Sequence, residues 1–540
     1  MRLPFLGKKK KTRVSPLDLA QQGKQRIKFT ASAQENAQRL RRLAGINNYD
    51  FKQRQLVIST EPSVAAQLCF METMVDSTLF GRQILQPLLQ RERRIPLAEL
   101  PGDSLCQKIG ENLILSGKIK ELEYEDEAVS ALLYGGAILF LEGSRRALAI
   151  GMKMVPERPM LEPQTEAARR GPHQGFTECI SSNVALLRMR MKTGTLRLDS
   201  FRIGRISKTD GAVIYLDGIA NPALVGEVKE RIQSLDVDLV EDNSILELLI
   251  QDHPMTIFPT TFFTERPDLV SSALGEGRVG ILMENSPSCL IVPVNFFDFF
   301  KTAEDNYLRW PFTSFIRLAR LAAGIVSLWA PAVYVAITTF HQEMLPTPLA
   351  LNIAAARANV PFPAFVEVFI MELILELILE SGVRLPAPEG QTIGIVGAIV
   401  LGEAAVTAQL VSPLLVIVVA VSSIASFVVP LFVVERGVRL LRFPIMILGA
   451  SMGLYGIMAG MAAVVAVQCA LTSFGQPYMI PVAPFDPEAL KDLIVRMPPW
   501  KSDMRPKWLH TGNKRRQGQI VRDWSMDGEN KDGEVDLSGE

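Results

Sequence analysis

Residues 321–340 read LAAGIVSLWAPAVYVAITTF, a run of twenty residues without a charged side chain. An α-helix rises about 1.5 Å per residue, so this run matches the hydrocarbon thickness of a bilayer. It therefore predicts a membrane-spanning helix. Because more apolar sequence follows, we predict a C-terminal α-helical polytopic transmembrane domain over residues 306–482.

Two further apolar blocks lie downstream. The block at 391–434 holds one charge, Glu403, and is long enough for two spans hinged near Ser412-Pro413. The block at 444–473 is uncharged and repeats small residues four apart, a spacing that lets helices approach closely. Its predicted helix-packing residues are Gly449, Gly453, Gly456 and Gly460. Between the blocks, ERGVRLLR (435–442) carries three arginines and is interpreted as a loop.

The N-terminal part predicts a soluble α/β region of two lobes. Strand and helix patterns recur in one order in 36–155 and in 180–305. The last helix–strand–strand unit of each lobe, its closing unit, aligns by eye with that of the other. DEAVSALLYGGAILFLEGSRRALAI (126–150) matches PDLVSSALGEGRVGILMENSPSCLI (267–291). We interpret this as an internal duplication. Two lobes can enclose a cleft for a small ligand, and a structural or oligomerisation platform is the open alternative.

The remaining segments are assigned by composition. They are a basic disordered tail over 1–35, a linker rich in Pro, Glu and Arg over 156–179, and a tail over 483–540 that is disordered after about 510. No apolar segment follows Lys8–Lys11, so no secretory signal is predicted and the lobes are placed in the cytosol. The arginine loop at 435–442 and the basic tail would lie on opposite sides of a single span at 444–473. The positive-inside rule therefore cannot place both in the cytosol, and we place the tail there.

The composition excludes several classes of function. Formal net charge is zero, from 57 basic and 57 acidic side chains, which argues against a nucleic-acid partner. The five cysteines are scattered and the four histidines are isolated, so no metal site is predicted. The chain shows no dinucleotide or phosphate loop and no nucleophile–base set, so we predict neither a cofactor nor an enzyme.

The segment PFPAFVEVFIMELILELILESG (361–382) is strongly apolar and yet acidic. A spacing of four places Glu372, Glu376 and Glu380 on one helical face, and Glu367 lies a turn and a half earlier. Carboxylates at membrane depth normally face a partner or a water-filled cavity, and rings of them in an oligomer favour cations. These acids are therefore candidates for a cation pathway. An interfacial amphipathic helix with its acids in water is the open alternative.

Three other residues are candidates. Glu403 lies in an otherwise neutral block and joins the candidate pathway, although it can equally be a hydrogen-bonded packing residue. His341 and Glu343 follow the first predicted span and are candidates for a gate, with an interfacial position as the simpler reading.

Several long, collinear stretches of the chain are identified with those of a known family. They include RGPHQGFTECISSNVALLRMRMK (170–192), GRVGILMENSPSCLIVP (277–293), EDNYLRWPFTSFIRLAR (304–320), GVRLPAPEGQTIGIVGAIVLGEAAV (382–406) and SFGQPYMIPVAPF (473–485). The chain resembles the A subunit of GerA-family spore germination receptors over about residues 36–508.

The resemblance implies a location and a role. It implies an integral protein of the spore inner membrane that works with a polytopic B subunit and a lipoprotein C subunit. It also implies a homo-oligomer that acts as a nutrient-gated channel for monovalent cations. The open alternatives are a non-conducting signalling scaffold and a paralogue of the stage V sporulation protein AF type, which amplifies germination.

Two departures from the family pattern make the acidic region more acidic. Leu379 stands where the family usually has a basic residue, and Glu403 stands where the family often has Gln. Because of both changes, the ion selectivity and the gating threshold of the family cannot be assigned directly to this chain.

Overall fold

The computed structural model of the chain describes residues 27–517 with some gaps. The gaps are residues 46–47, 59–62, 90–101, 115, 117, 153–161, 164–165, 167, 385–401, 488 and 491–494. Most of the predicted disordered tails therefore lie outside the described residues. Lobe 1 begins earlier than the predicted boundary at residue 36, because Phe29 is buried and the first helix starts at Ala33.

Lobe 1 is built on a five-stranded antiparallel sheet of order β1-β2-β4-β5-β3. Its strands are β1 Phe51–Ile58, β2 Val64–Met71, β3 Ile119–Leu122, β4 Gly136–Leu141 and β5 Ala147–Gly151. Its helices are α1 Ala33–Ala44, α2 (the successive turns Ser77–Phe80, Gly81–Leu85 and Gln86–Leu89), α3 Gly102–Asn112 and α4 Glu125–Leu133. The central strand β4 is buried along its whole length, as its continuous apolar run requires.

Lobe 2 has the same architecture, with a five-stranded sheet of order β6-β7-β9-β10-β8. Its strands are β6 Leu196–Ile203, β7 Thr209–Leu216, β8 Phe262–Thr264, β9 Val279–Met283 and β10 Cys289–Val292. Its helices are α5 Ile180–Arg190, α6 Pro222–Gln233, α7 Asn243–Ile250 and α8 Pro267–Glu276. Strand for strand the two orders are identical, which supports the duplication predicted from the closing units.

A duplicated set of hydrogen bonds closes the start of each lobe. In lobe 1 the Asn36 side chain accepts from Thr30 N at 2.9 Å and donates to Thr30 O at 2.7 Å. In lobe 2 Asn183 makes the same pair of bonds with Thr177 N and O, at 2.8 and 2.6 Å. These bonds tie the backbone just before each helix to an asparagine in the first turn of α1 or α5.

A glutamate beyond the central strand repeats as well. Glu142 after β4 accepts from Ala33 N at 2.9 Å, and Glu284 after β9 accepts from Ile180 N at 2.9 Å. In both lobes the start of the first helix is thus tied to the end of the central strand.

We expect Asn36→Ala and Asn183→Ala to destabilise their lobes by similar amounts. Each change leaves the amide and carbonyl of a half-buried Thr without these bonds, which costs about 1–3 kcal/mol. Thermal unfolding of the full chain in detergent measures the loss, with Asn513→Ala on the exposed C-terminal segment as the control. A loss at only one of the two positions would show that the two motifs differ in role.

Helix α5 joins the two lobes. Ala185 packs into the core of lobe 1, whereas Val184 and Leu187 pack into the core of lobe 2. Arg188 on the same helix is buried and donates to both oxygens of the buried Asp50 of lobe 1, each at 3.0 Å. A buried, bidentate ion pair is lost only at high cost, so the lobes are held together firmly.

The C-terminal region is helical, as predicted. Its helices are α9 Trp310–Phe340, α10 Thr347–Arg357, α11 Ala364–Arg384, α12 Gly402–Thr407, α13 Pro413–Phe427, α14 Phe432–Met452 and α15 Leu454–Ala470. Among the described residues, α9 alone is long and apolar enough to cross a membrane by itself, and α13 and α15 are shorter apolar helices. The predicted break near Ser412-Pro413 is present, because α13 begins at Pro413.

The long helices run back and forth between a lobe end and a distal end. The lobe end is where α9 begins beside lobe 2, and the distal end is where it finishes at Phe340. Helix α14 starts near the Ile257 carbonyl of lobe 2 and finishes at Gly453, against Phe340. Helix α15 returns, since Leu454 N donates to His341 Nε2 at 3.3 Å and Thr472 N donates to His253 Nε2 at 3.3 Å. Helices α11 and α13 also run towards the lobes.

The interpretation of residues 435–442 as a loop is wrong. This segment is the beginning of α14, and its third arginine, Arg442, is buried. The predicted single span over 444–473 is in fact two antiparallel helices that meet at Gly453, where φ is +61°. The conflict with the positive-inside rule disappears, because the start of α14 and the segment after α15 both lie at the lobe end.

The chain after α15 folds back onto lobe 2. A short hairpin of β11 Thr472–Ser473 and β12 Gln476–Pro477 follows the helix, and Ser473 Oγ donates to Thr260 O at 2.7 Å. Further on, Trp508 and Leu509 are buried, and Arg505 Nε donates to Gly275 O at 2.8 Å. Residues up to 517 are described, so order extends past the predicted limit of about 510. The C-terminal segment lies on the same side of the helices as the lobes.

Candidate functional site: paired charges along an apolar helix

Helix α11 supplies most of the candidate residues. It packs against α9, α13 and α14. Its Leu, Met and Glu residues favour helix, and the first three of its acids lie on the side that faces those neighbours.

Glu367 is fully buried near the distal end. Its Oε1 lies 3.2 Å from Nη2 of Arg357, which ends α10, and its Oε2 accepts from Ser412 N at 3.1 Å. This carboxylate therefore joins α10, α11 and the start of α13.

Glu372 lies midway along the bundle and is 4% exposed. Its Oε2 is paired with Nη1 of Arg442, and its Oε1 accepts from Ser422 Oγ at 3.2 Å. Arg442 also donates to Ser327 Oγ on α9 at 2.9 Å. One buried ion pair thus connects α9, α11, α13 and α14.

Glu376 is half-buried one turn nearer the lobes. Its Oε2 lies 3.1 Å from Arg439 Nη1, and Arg439 Nε lies 3.7 Å from Glu435 Oε1. Glu380 follows one turn later and is exposed. The candidate row therefore passes from a sealed interior at Glu367 to an open surface at the lobe end.

The first three acids each have an arginine partner, which the sequence did not predict. Because α11 and α14 are antiparallel, Glu372 and Glu376 meet Arg442 and Arg439 in reverse order. The sequence carried a signal for this pairing. Arginines three apart on one apolar helix match glutamates four apart on another, but reading 435–442 as a loop concealed it.

The other candidates lie apart from this row. Glu403 is exposed near the start of α12, and Glu343 is exposed beyond the end of α9. His341 caps the beginning of α15 at the distal end. The structure does not bring these three residues together with the α11 acids, and their roles stay predictions.

The four glycines lie where helices meet or turn. A Cβ at Gly449 would lie 3.1 Å from the Ala332 carbonyl of α9, and one at Gly456 would overlap the Leu448 carbonyl of α14. A Cβ at Gly460 would lie 3.1 Å from a Leu448 methyl. Gly453 differs, since it forms the turn between α14 and α15.

A second cluster of charges joins lobe 2 to α9, and the sequence analysis missed it. Asp305, 1% exposed, accepts from Arg317 Nε at 2.9 Å and from Arg320 Nη1 at 3.0 Å. Arg320 also donates to Phe300 O at 3.1 Å. From the C-terminal segment, Arg496 donates to the Leu308 carbonyl at 2.9 Å. This junction fixes the direction in which α9 leaves the lobe.

A cavity of about 230 Å³ adjoins this junction. Lobe 2, the start of α9 and the C-terminal segment all line it, through residues such as Arg278, Asp298, Arg317 and Arg496. Burial opposes ionisation of Asp298, but Arg278 and Lys301 beside it hold the pKa of that carboxyl well below its usual range. The cavity lies away from the contact between the lobes, where a nutrient cleft was predicted.

Comparison with known proteins identifies the family. The family model described as Bacillus/Clostridium GerA spore germination protein matches residues 38–508. This chain belongs to the GerA family. The predicted resemblance is therefore confirmed over nearly the whole described chain.

Relatives of this GerA-family chain match over most of their length. The spore germination protein KA of Bacillus subtilis (strain 168) is 39% identical over 469 residues, which is 87% of this chain and 85% of that protein. The membrane protein YfkQ of the same organism is 41% identical over 387 residues, 72% of this chain and 75% of that protein. A crystal structure of the N-terminal domain of the A subunit of the Bacillus megaterium spore germinant receptor GerK3 is 29% identical. It covers 51% of this chain and 99% of that domain, with a TM-score of 0.40.

Proposed function

We propose that this GerA-family chain is the A subunit of a spore germinant receptor, embedded in the spore inner membrane with its lobes and C-terminal segment in the cytosol. The apolar helix α9 and the name of the relative YfkQ as a membrane protein support the location. The docking of the C-terminal segment on lobe 2 supports a common side for both. Its partners are then the B and C subunits, further copies of itself and the lipid bilayer. We propose no enzymatic reaction for it.

The finer proposal is a nutrient-gated path for monovalent cations along α11. It is carried by one observation: carboxylates occur on α11 at three depths of the bundle, and each is paired with an arginine of the same subunit. An acid paired with arginine offers no net negative charge to a passing cation. This arrangement therefore corresponds to a closed state, and a shift of α14 along α11 would free Glu372 and Glu376 together.

Oligomerisation is a separate requirement of the channel. One copy presents a single row of acids, and only several copies around an axis make acidic rings. The mass of the purified complex in detergent, measured by light scattering, tests this directly. A strictly monomeric chain would rule out the ring.

A second candidate function is a signalling scaffold that conducts nothing. The same pairs favour it in one respect, because they neutralise the buried acids within one subunit and leave them a purely structural use. A paralogue of the stage V sporulation protein AF type, which amplifies germination, fits the same fold. A nutrient bound in the soluble region is compatible with all three, and a thermal-shift screen of the full chain tests it, because a bound ligand raises the unfolding temperature.

The triple variant Glu372→Gln, Glu376→Gln and Glu380→Gln should lower monovalent cation flux, because it removes the negative charge that attracts cations. Glu376→Gln alone should lower flux while leaving assembly intact, since that side chain is already half-exposed. Flux is measured in planar bilayers with the B and C subunits and the triggering nutrient present.

Glu230→Gln on the exposed face of α6 serves as the control and should leave flux unchanged. Equal conductance in the triple variant and the control would remove these acids from any conduction path. Absence of nutrient-triggered conductance in the intact receptor would favour the scaffold.

A further inference from the structure

An apolar surface on lobe 2 has no part in the proposed cation path. It comprises Leu248 and Leu249 at the end of α7 and Met255 and Ile257 in the loop that follows. We call these four residues the apolar rim. Met255 is 97% exposed and Leu248 is 66% exposed. Large apolar side chains grouped on a surface usually mark a site of contact.

The polar groups of this segment are turned inward. Glu247 on α7 accepts a hydrogen bond from Thr261 Oγ1. Asp252 in the loop is paired with Arg231 and accepts from Phe474 N. His253 Nε2 lies 3.2 Å from Thr472 Oγ1. A helix at a water-facing surface usually points its charges outward, whereas the charged groups of this segment are bound to lobe 2 and its exposed large side chains are apolar.

The apolar rim touches the lobe ends of two long helices. A Cβ at Gly437 of α14 would lie 3.2 Å from the Ile257 carbonyl oxygen, so the loop packs directly on that helix. The contact between His253 and Thr472 brings the same loop to the end of α15. The rim therefore lies at the level where the helices emerge from the lobe.

Exposed apolar side chains continue from the rim onto the helices. Phe432 and Val433 at the start of α14 are half-exposed, and so is Val467 near the end of α15. Arg436 lies over the ring of Phe432, with its guanidinium carbon 3.9 Å from the ring centroid. An arginine beside an aromatic ring at the end of an apolar helix is typical of the boundary between lipid and water.

We propose that the apolar rim enters the bilayer surface and anchors lobe 2 to the membrane. This inference rests on the proposed membrane location of the helical bundle. The occupant is lipid, at the boundary between headgroups and acyl chains, where amphipathic segments bury their apolar side chains. Lipid fits better than a protein partner, because the apolar surface is continuous with that of the helices and a partner on lobe 2 would cover only part of it. Anchoring at this point would hold the Asp305 junction at a fixed height above the bilayer.

The test uses the full chain in phosphatidylcholine vesicles, with the exposed Cys179 and Cys469 replaced by Ser. A polarity-sensitive fluorophore is attached after Met255→Cys, and quenching by lipid that carries a nitroxide on its acyl chain is measured. Ile447→Cys on the exposed face of α14 reports the bundle. Ile206→Cys is the matched control, because Ile206 is 68% exposed in the β6–β7 turn, at the end of the sheet remote from the helices.

Quenching at position 255 that approaches the value at 447 and exceeds the value at 206 is the expected result. Quenching at 447 with none at 255 would overturn the anchoring proposal and leave the membrane location intact. Efficient cross-linking between position 255 of two copies, without quenching there, would assign the rim to a second copy and overturn it as well. No quenching at 447 would remove the membrane location and this inference with it.

Discussion

Arg442→Met should lower the stability of the folded chain by about 3–5 kcal/mol, because it leaves Glu372 buried with no counter-charge. Glu372 is 4% exposed and Arg442 is 3% exposed, so water cannot replace the lost partner. The substitution also removes the donor to Ser327 Oγ and so loosens α9 from α14. Thermal unfolding of the full chain in detergent, followed by near-ultraviolet circular dichroism, measures the effect.

Two companion variants show whether the pair is the cause. Arg436 lies nearly two turns earlier on α14, is exposed, and has no carboxylate of α11 among its described contacts. Arg436→Met should therefore lower the free energy of unfolding by about 1 kcal/mol or less. Adding Glu372→Leu to Arg442→Met should recover most of the loss, because an apolar pair of similar volume replaces a buried ion pair at little cost. A double variant as unstable as the single one would show that packing of the Arg442 side chain, and not its charge, holds the helices.

The acids of α11 could be identified from the sequence, because glutamates within an apolar segment are recognisable without knowing how the helices pack. Their partners could not, because pairing is a property of two helices and depends on their relative direction. Arg439 and Arg442 lie between two apolar blocks, and charges between apolar blocks normally mark a loop. The helix instead begins at Phe432, close to lobe 2, and places its arginines inside the bundle.

The duplicated lobes were predictable for a different reason. Alternating strands and the aligned closing units are local patterns, and they survive in both halves at 126–150 and 267–291. The contact between lobes was not predictable. Asp50 and Arg188 are 138 residues apart, and each looks like an ordinary surface charge in the sequence. The docking of Trp508 and Leu509 onto lobe 2 is equally non-local, so the sequence predicts a basic tail there without its contacts to lobe 2.

Asp305→Asn should weaken the attachment of lobe 2 to α9. Asparagine keeps the size of the side chain but removes the charge that Arg317 and Arg320 share, so both buried guanidinium groups lose this ion pair. Leaving a buried charge without its partner costs about 3–5 kcal/mol, and part of that loss will appear as local opening at the junction. We therefore expect a lower unfolding temperature and faster proteolysis within residues 301–310 of the full chain in detergent.

The functional consequence follows from the position of Asp305. It accepts from both arginines of α9 while its own backbone lies in lobe 2, so this residue gives motion of the lobe a direct route to α9. A receptor carrying Asp305→Asn should assemble and yet lose most of its response to nutrient. Asp217→Asn is the matched control, because that carboxylate is exposed and its pair with Arg197 contributes about 1 kcal/mol or less. If Asp305→Asn and Asp217→Asn respond alike in proteolysis and in germination, the carboxylate of Asp305 does not transmit the signal to α9.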